Sequence, residues 1–165
     1  MKRRTIINIP SIIDVEASGF GTESYPIEVG VVRDDGARYC KIINPFDDWT
    51  HWNNDAAKLH GIERDVLLRK GVCGQQICIE LNDFIGTRPV YSDGWVVDSP
   101  WLIKLFERSR VPMAFRVSSI EMILKEYQYP LWDQAKEVLI SSYKMQRHRA
   151  SSDALIIQQT YLNTI

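Results

Sequence analysis

The stretch "IIDVEASGF", residues 12–20, places two carboxylates inside a run that otherwise has the composition of a buried β-strand. Asp14 and Glu16 are separated by one residue, and successive strand side chains point to opposite faces, so both acids must lie side by side on one face. Two carboxylates in this arrangement repel each other and resist removal from water. They are either edge-strand acids exposed to water or the ligands of a bound cation. The apolar residues on both sides favour burial, and hence a metal site.

The segments that follow this strand predict an α/β protein with a mixed central sheet. Three β-rich segments joined by short connections predict an N-terminal antiparallel three-stranded meander, at residues 5–17, 26–34 and 37–45. Helical spacing or helix-terminal residues predict flanking helices at 53–61, 74–86, 98–109, 119–127, 133–145 and 151–165, and a short strand is predicted at 88–94. The helix at 98–109 is expected to begin after Asp98, with Ser99 as its N-cap and Pro100 in its first turn. No linker divides the chain, so residues 1–165 are expected to form one domain.

Composition narrows the class of protein. The chain is 45% hydrophobic and 25% charged with a formal net charge of −1, and it has no apolar run of transmembrane length. A membrane protein is therefore not expected, and any polyanion would have to be held by a local patch or by metal. Cys40, Cys73 and Cys78 lack zinc-type spacing and are expected to be buried, reduced thiols, which favours the cytoplasm.

Further acids occur where strands or loops lead into helices. Asp98 follows the short strand, and Asp153 lies in the first turn of the last helix, five residues after His148. Each acid also fits a simple helix-terminal role. Asp93 is an alternative to Asp98, but "SDG" is a turn signature and the helix is expected to start after Asp98, so Asp98 is preferred. A nuclease that uses two metal ions needs carboxylates converging from several elements. A loop histidine beside such a site can act as a general base, although His148 could equally be an exposed surface residue.

These motifs resemble those of the DEDDh family of 3′–5′ exonucleases, which have a ribonuclease H-like fold. "IIDVEASGF" resembles the first motif, "DSPWL" the second, and "HRASSDA" is close to the last, while "YPIEVGVV" and "LHGIERDVL" resemble segments between them. The family usually has Thr or Ser directly after the Glu of the first motif, whereas this chain has Ala17 and then Ser18. It also usually has Asn before the Asp of the second motif, where this chain has Ser92.

The resemblance implies a mechanism and a substrate class. Asp14, Glu16, Asp98 and Asp153 would hold two divalent cations, Mg²⁺ or Mn²⁺, and His148 would be the general base. The substrate would be the 3′ end of single-stranded RNA or DNA, with RNA slightly favoured, and the product a nucleoside 5′-monophosphate. Some relatives form dimers, so a homodimer is one expected assembly.

Substrate contacts are predicted at four residues: Ala17, Ser18, Trp95 and Arg149. Trp95 could stack on a base, although most of the tryptophans are expected to be core residues. Arg149 belongs to a basic set that could form a solvated helix face or attract phosphate, together with Lys136, Lys144 and Arg147. The alternative to an enzyme is a catalytically inactive nucleic-acid-binding or protein-interaction module on the same fold.

Overall fold

A five-stranded mixed sheet positions the rest of the molecule. The structure, a computed structural model, describes residues 8–143 and 148–165. The strands are β1 (Ser11–Ala17), β2 (Pro26–Val32), β3 (Arg38–Ile42), β4 (Val90–Ser92) and β5 (Val117–Ser119). Their order is β3-β2-β1-β4-β5, with the first three antiparallel and β1, β4 and β5 parallel. The predicted meander and the mixed sheet are confirmed, with the acidic strand β1 at the centre.

Six helices flank this sheet in the described parts of the chain. They are α1 (Asn54–His60), α2 (Arg64–Lys70), α3 (Gly74–Ile85), α4 (Trp95–Ser109), α5 (Tyr129–Tyr143) and α6 (Ala150–Thr164). The ends of α1 follow its sequence signals, since the Asn53 side chain accepts from the N–H groups of Asp55 and Ala56, and Gly61 ends the helix with φ 67°. The predicted helices at 53–61, 74–86 and 151–165 are confirmed to within a residue or so. The short helix α2 was not predicted.

Two helix predictions are wrong. The segment predicted as a helix at 119–127 is the end of β5 followed by two short 3₁₀ turns, because Ser119 pairs with Ser92 in the sheet and the backbone there is extended. The helix expected to begin after Asp98 begins at Trp95, because the N–H groups of Val97 and Asp98 already bond to Gly94 O. Pro100 therefore lies inside α4, still near its N-terminus, rather than in its first turn.

The two faces of β1 contact different layers. Ile13 and Val15 belong to the larger core, which includes Ile77 of α3 and Leu102 of α4. The other face of the strand carries Ile12, Asp14 and Glu16 by the two-residue repeat. Ile12 packs into a second core with residues of α6, namely Ala154, Ile157 and Tyr161. The two acids of β1 therefore lie on the face that α6 covers.

Gly30 lets the beginning of α6 approach the sheet closely. It is the partner of Asp14 across the β1–β2 pair. A Cβ atom at this position would lie 2.4 Å from the carbonyl carbon of Ala150 and from the backbone nitrogen of Ser151. Only a residue without a side chain allows this contact, so Gly30 places the first turn of α6 directly beside Asp14.

The cysteines differ in burial from what the sequence predicted. All three cysteines are free, but only Cys78 is buried, while Cys40 and Cys73 are exposed. The prediction of buried thiols is thus wrong for two of the three, because Cys40 lies on the half-exposed strand β3 and Cys73 just before α3. No helix in the described ranges is both long and apolar enough to cross a membrane.

Candidate active site

The four predicted acids come from three elements and meet at one end of β1. Asp14 and Glu16 belong to β1, and Asp98 and Asp153 lie in the first turns of α4 and α6. The pKa of Asp14 is raised well above its usual value by burial and by the negative charges of Asp98, Glu16 and Asp153. Coulombic effects of this kind require short separations, so the structure brings all four carboxylates together around Asp14.

Asp14 has a buried carboxylate oxygen without a hydrogen-bond partner. Its Oδ2 atom is inaccessible to solvent and has no hydrogen-bond partner among the described residues. A buried carboxylate oxygen without a donor is costly, since it has lost water and gained nothing in exchange. A cation is the partner that such an oxygen lacks.

Glu16 lies beside Asp153 and His148. One ligand atom from each of these three residues lies within 4.8 Å of those of the other two. Burial and the charges of Asp153, Glu28 and Asp98 raise the pKa of Glu16 to about 8, against a smaller opposing effect of Arg149. The carboxylate therefore resists ionisation unless positive charge is supplied, as a bound cation would do.

Asp98, rather than Asp93, belongs to the buried cluster. Its side chain is 2% exposed and accepts a hydrogen bond of 2.5 Å from Ser92 Oγ, whose oxygen in turn accepts from the N–H of Gly94. Burial and the negative charge of Asp93 raise the pKa of Asp98 to about 7, although the hydrogen bonds from Ser92 and the Val15 N–H oppose this. Asp93 instead forms a 2.6 Å ion pair with Lys136 of α5. Ser92, which departs from the family pattern, thus orients the acid of the second motif.

His148 lies at the edge of this cluster, in the segment that leads into α6. Its backbone N–H donates to Asp153 Oδ2 at 3.0 Å. Its φ is 58°, in the left-handed region that residues other than glycine seldom adopt. The side chain is half-buried, so the imidazole borders both the acids and the solvent.

The predicted substrate contacts at the end of β1 are enclosed. Ala17 and Ser18 are both buried. The Ser18 hydroxyl accepts from the Tyr25 N–H at 3.1 Å and lies 3.3 Å from Nδ1 of His51. Its side chain therefore holds the loop after β1 in place, and a substrate contact at Ser18 stays a prediction.

The aromatic and basic predictions have mixed outcomes. Trp95 is 43% exposed on the first turn of α4, and its indole N–H donates to Val117 O at 3.0 Å, so part of the ring is fixed facing solvent. Trp49, by contrast, stacks on Tyr25 in the larger core. Of the basic set, Lys144 and Arg147 lie outside the described residues.

Two further residues were not predicted from the sequence. Phe20 is 68% exposed in the loop directly after the acidic strand, where an apolar ring has no packing reason to be. Its position between Gly19 and Gly21 was the signal that could have found it. Glu28 of β2 is buried and holds Arg149 in an ion pair, and no local pattern marked it.

Comparison with known proteins shows which solved structures share the fold of this chain. No protein-family model and no curated protein sequence matches the chain. The nuclease domain of 3′hExo, a DEDDh family member solved with rAMP, matches with a TM-score of 0.68 and 17% identity over 96% of this chain and 92% of that one. Exonuclease I of E. coli matches with 14% identity and a TM-score of 0.70 in its complex with a dA16 oligonucleotide, and with 13% and 0.68 in its zinc-bound form with single-stranded DNA.

These matches cover the two proteins unequally. The chain spans nearly all of the 3′hExo domain but only 40% of the length of Exonuclease I, while 93% of the chain is matched there. At such low identities the likeness speaks to the fold alone. The chain has the fold of the DEDDh-type 3′–5′ exonucleases, and the predicted ribonuclease H-like α/β class is confirmed.

Proposed function

We propose that this protein is a metal-dependent 3′–5′ exonuclease that removes nucleoside 5′-monophosphates from the 3′ end of single-stranded nucleic acid. The observation that carries the proposal is the convergence of Asp14, Glu16, Asp98 and Asp153 from three separate elements, with His148 beside them. Each of these residues alone has a simple structural explanation, but a cluster of four like charges that are partly or fully buried has none that favours stability. The fold shared with 3′hExo and Exonuclease I supports the same reaction class.

The donor set fits hard divalent cations. Carboxylate oxygens are the ligands that Mg²⁺ and Mn²⁺ prefer, and Asp14 Oδ2 is a buried oxygen without a donor. We assign Asp14, Glu16, Asp98 and Asp153 to the binding of two such ions. When bound, the ions supply Lewis-acid stabilisation of charge on phosphate oxygens and make water more acidic.

The protein's own residues would then accept the proton of the attacking water. His148 takes the proton of the attacking water while the water oxygen bonds to the terminal phosphorus. The bond from phosphorus to the 3′ oxygen of the preceding nucleotide breaks, and that oxygen takes a proton from solvent to become the new 3′ hydroxyl. Asp153 supports the general base by accepting the His148 backbone N–H, which holds this segment beside Glu16.

Exposed aromatic rings close to the acids in the sequence suit a single strand. Trp95 lies three residues before Asp98, and Phe20 lies four residues after Glu16. Stacking on such rings is tolerant of sequence, because every base has a π-face. We infer that these two rings contact the terminal bases, and that RNA is slightly favoured, because the match covering almost a whole protein is the one solved with rAMP.

A degradation assay tests the proposal. Short 5′-labelled single-stranded RNA and DNA oligonucleotides are incubated with the protein and Mg²⁺ or Mn²⁺, and products are resolved by size. Stepwise shortening from the 3′ end with release of 5′-monophosphates, abolished by EDTA, is the expected result. Binding of the strand without shortening would favour the inactive nucleic-acid-binding module instead.

Two coarser expectations accompany this function. Three free cysteines suit a reducing compartment, so we propose the cytoplasm as the location. We also propose a homodimer, which light scattering of the purified protein would test.

A further inference from the structure

A buried glutamate beside the acid cluster needs an explanation of its own. Glu28 lies on β2 directly opposite Glu16 in the sheet register and is 1% exposed. It is not among the four acids assigned to metal binding. A charge in such a position is retained only with a partner of opposite charge and good geometry.

Glu28 has that partner in Arg149. Arg149 Nε donates to Oε2 at 2.8 Å and Nη2 donates to Oε1 at 3.0 Å, so the two side chains form a bidentate pair. The thiol of Cys40 adds a third bond to Oε1 at 3.1 Å. We call the bidentate pair of Glu28 and Arg149 the β2–α6 fork.

The backbone of Arg149 is bonded to the candidate active site at the same time. Its carbonyl accepts from the N–H groups of Ser152 and Asp153, at 2.9 and 3.0 Å, and so caps the beginning of α6. The residue before it is His148, which has a left-handed backbone and donates its N–H to Asp153. A non-glycine residue keeps such a conformation only where its surroundings hold it.

We propose that Glu28 and Arg149 are positioning residues, and that the β2–α6 fork holds the segment from His148 to Asp153 in place above Glu16. The fork ties this segment to the strand that neighbours β1, so the imidazole and the Asp153 carboxylate stay aligned with the acids of β1. The catalytic consequence rests on the proposed exonuclease activity, whereas the consequence for metal binding rests only on the assignment of the four acids as metal ligands. This role differs from the phosphate contact expected of Arg149 from the sequence, since the guanidinium faces a carboxylate inside the protein.

Single variants of the fork give the first test. Arg149→Lys keeps the charge but loses the bidentate geometry, and Glu28→Gln keeps the shape but loses the charge. We expect both to lower kcat by about 10²-fold with KM changed by less than about threefold, because small misplacements of reacting groups have effects of this size. We also expect both to weaken Mn²⁺ binding by roughly tenfold or more, measured by calorimetry, as for other residues that orient metal ligands.

Arg38→Gln is the matched control. Arg38 of β3 donates to the Ser151 carbonyl at 3.0 Å, so it contacts the same turn of α6 without touching Glu28. Its substitution should leave kcat and Mn²⁺ affinity within about twofold of wild type. An equal loss in Arg38→Gln would mean that any contact with α6 has the same effect, and the fork would have no special role.

A double variant separates positioning from mere stability. Glu28→Leu combined with Arg149→Met removes the buried charge of Glu28 together with its half-buried partner, and such replacements are often neutral or stabilising. We expect this protein to recover the thermal stability that the single variants lose, but not their kcat or their Mn²⁺ affinity. Recovery of kcat and Mn²⁺ affinity together with stability would overturn the proposal.

The remaining outcomes are also decisive. A rise in KM for Arg149→Lys with no effect of Glu28→Gln would assign Arg149 to substrate binding and reject the fork. If the wild-type protein degrades no oligonucleotide, the proposed function fails, but the Mn²⁺ titrations still decide about the fork. Equal Mn²⁺ affinity in wild type and both single variants would reject it.

Discussion

The face of β1 that α6 covers has two halves with opposite chemistry. At one end, Ile12 is fully buried against Ala154 and Ile157 of α6. Two and four residues along the same strand, Asp14 and Glu16 lie beside Asp153, which directly precedes Ala154. The interface between β1 and α6 thus contains both an apolar core and a cluster of like charges.

The difference shows how repelling groups are kept together. Burial of apolar surface by Ile12 and its neighbours stabilises the contact between α6 and the sheet. The acids oppose that contact when ionised, since the charges of Asp98, Glu16 and Asp153 raise the pKa of Asp14. The apolar half therefore supplies the stability that the acidic half lacks, and the two halves should respond to substitution in opposite ways.

The largest expected effect is that of Asp14→Asn, which removes a charge at constant shape. We expect exonuclease activity to fall to background, measured with labelled single strands and Mn²⁺. The free energy of unfolding of the metal-free protein should rise, measured by urea denaturation in EDTA, because the repulsion with three other acids is relieved. Asp34→Asn, at an exposed aspartate paired with Arg88, is the control and should change stability by no more than about 0.5 kcal/mol. If the metal-free Asp14→Asn variant were less stable than wild type, the acids would not destabilise the metal-free protein by their repulsion.

His148→Gln is expected to have the next largest effect. Loss of a general base typically lowers kcat by about 10²–10⁴-fold. The half-buried imidazole belongs to neither core, so the thermal unfolding of the variant should match that of wild type. Single-turnover kinetics with saturating Mn²⁺ would measure the loss. Full activity in this variant would remove the general-base assignment while leaving the metal site intact.

Ile12→Ala tests the apolar half. Truncation of a fully buried isoleucine should lower the free energy of unfolding by about 2–5 kcal/mol, and Ile12→Val by about 0.5–1.5 kcal/mol. Activity of the folded protein, assayed well below its unfolding temperature, should fall far less than in Asp14→Asn. If Ile12→Val abolished activity without any loss of stability, the apolar half would not have a separate role in stability.

The smallest expected effect is a pH dependence of the metal-free protein. The pKa values of Glu16 and Asp98 are raised to about 8 and about 7, above those of the unfolded chain. Folding therefore favours the protonated acids, and their contribution to stability is lost as the pH rises through these values. Thermal unfolding in EDTA should occur at a higher temperature at pH 6 than at pH 9. Saturating Mn²⁺ should reduce or reverse this trend, since metal binding needs ionised carboxylates.

Some features of the site could be predicted from the sequence, and others could not. The acids of β1 could be identified because a two-residue repeat places both on one face of a strand. Asp153 could be identified because it lies near the start of a strongly helical segment. The start of α4 could not, since Ser99 and Pro100 form a good local helix signal that the hydrogen bonds to Gly94 override.

The sequence by itself determined the strand-borne acid pair, the antiparallel meander, most of the helices and the resemblance to the DEDDh exonucleases. These features depend on periodicity and on residues a few positions apart, and such local relations can be deduced from the chain. Only the tertiary structure decided that α4 begins before Asp98, that Ser18 is enclosed, and that Glu28 binds Arg149, 121 residues away. Contacts of that kind depend on how the layers pack across the sheet, and no local spacing encodes them.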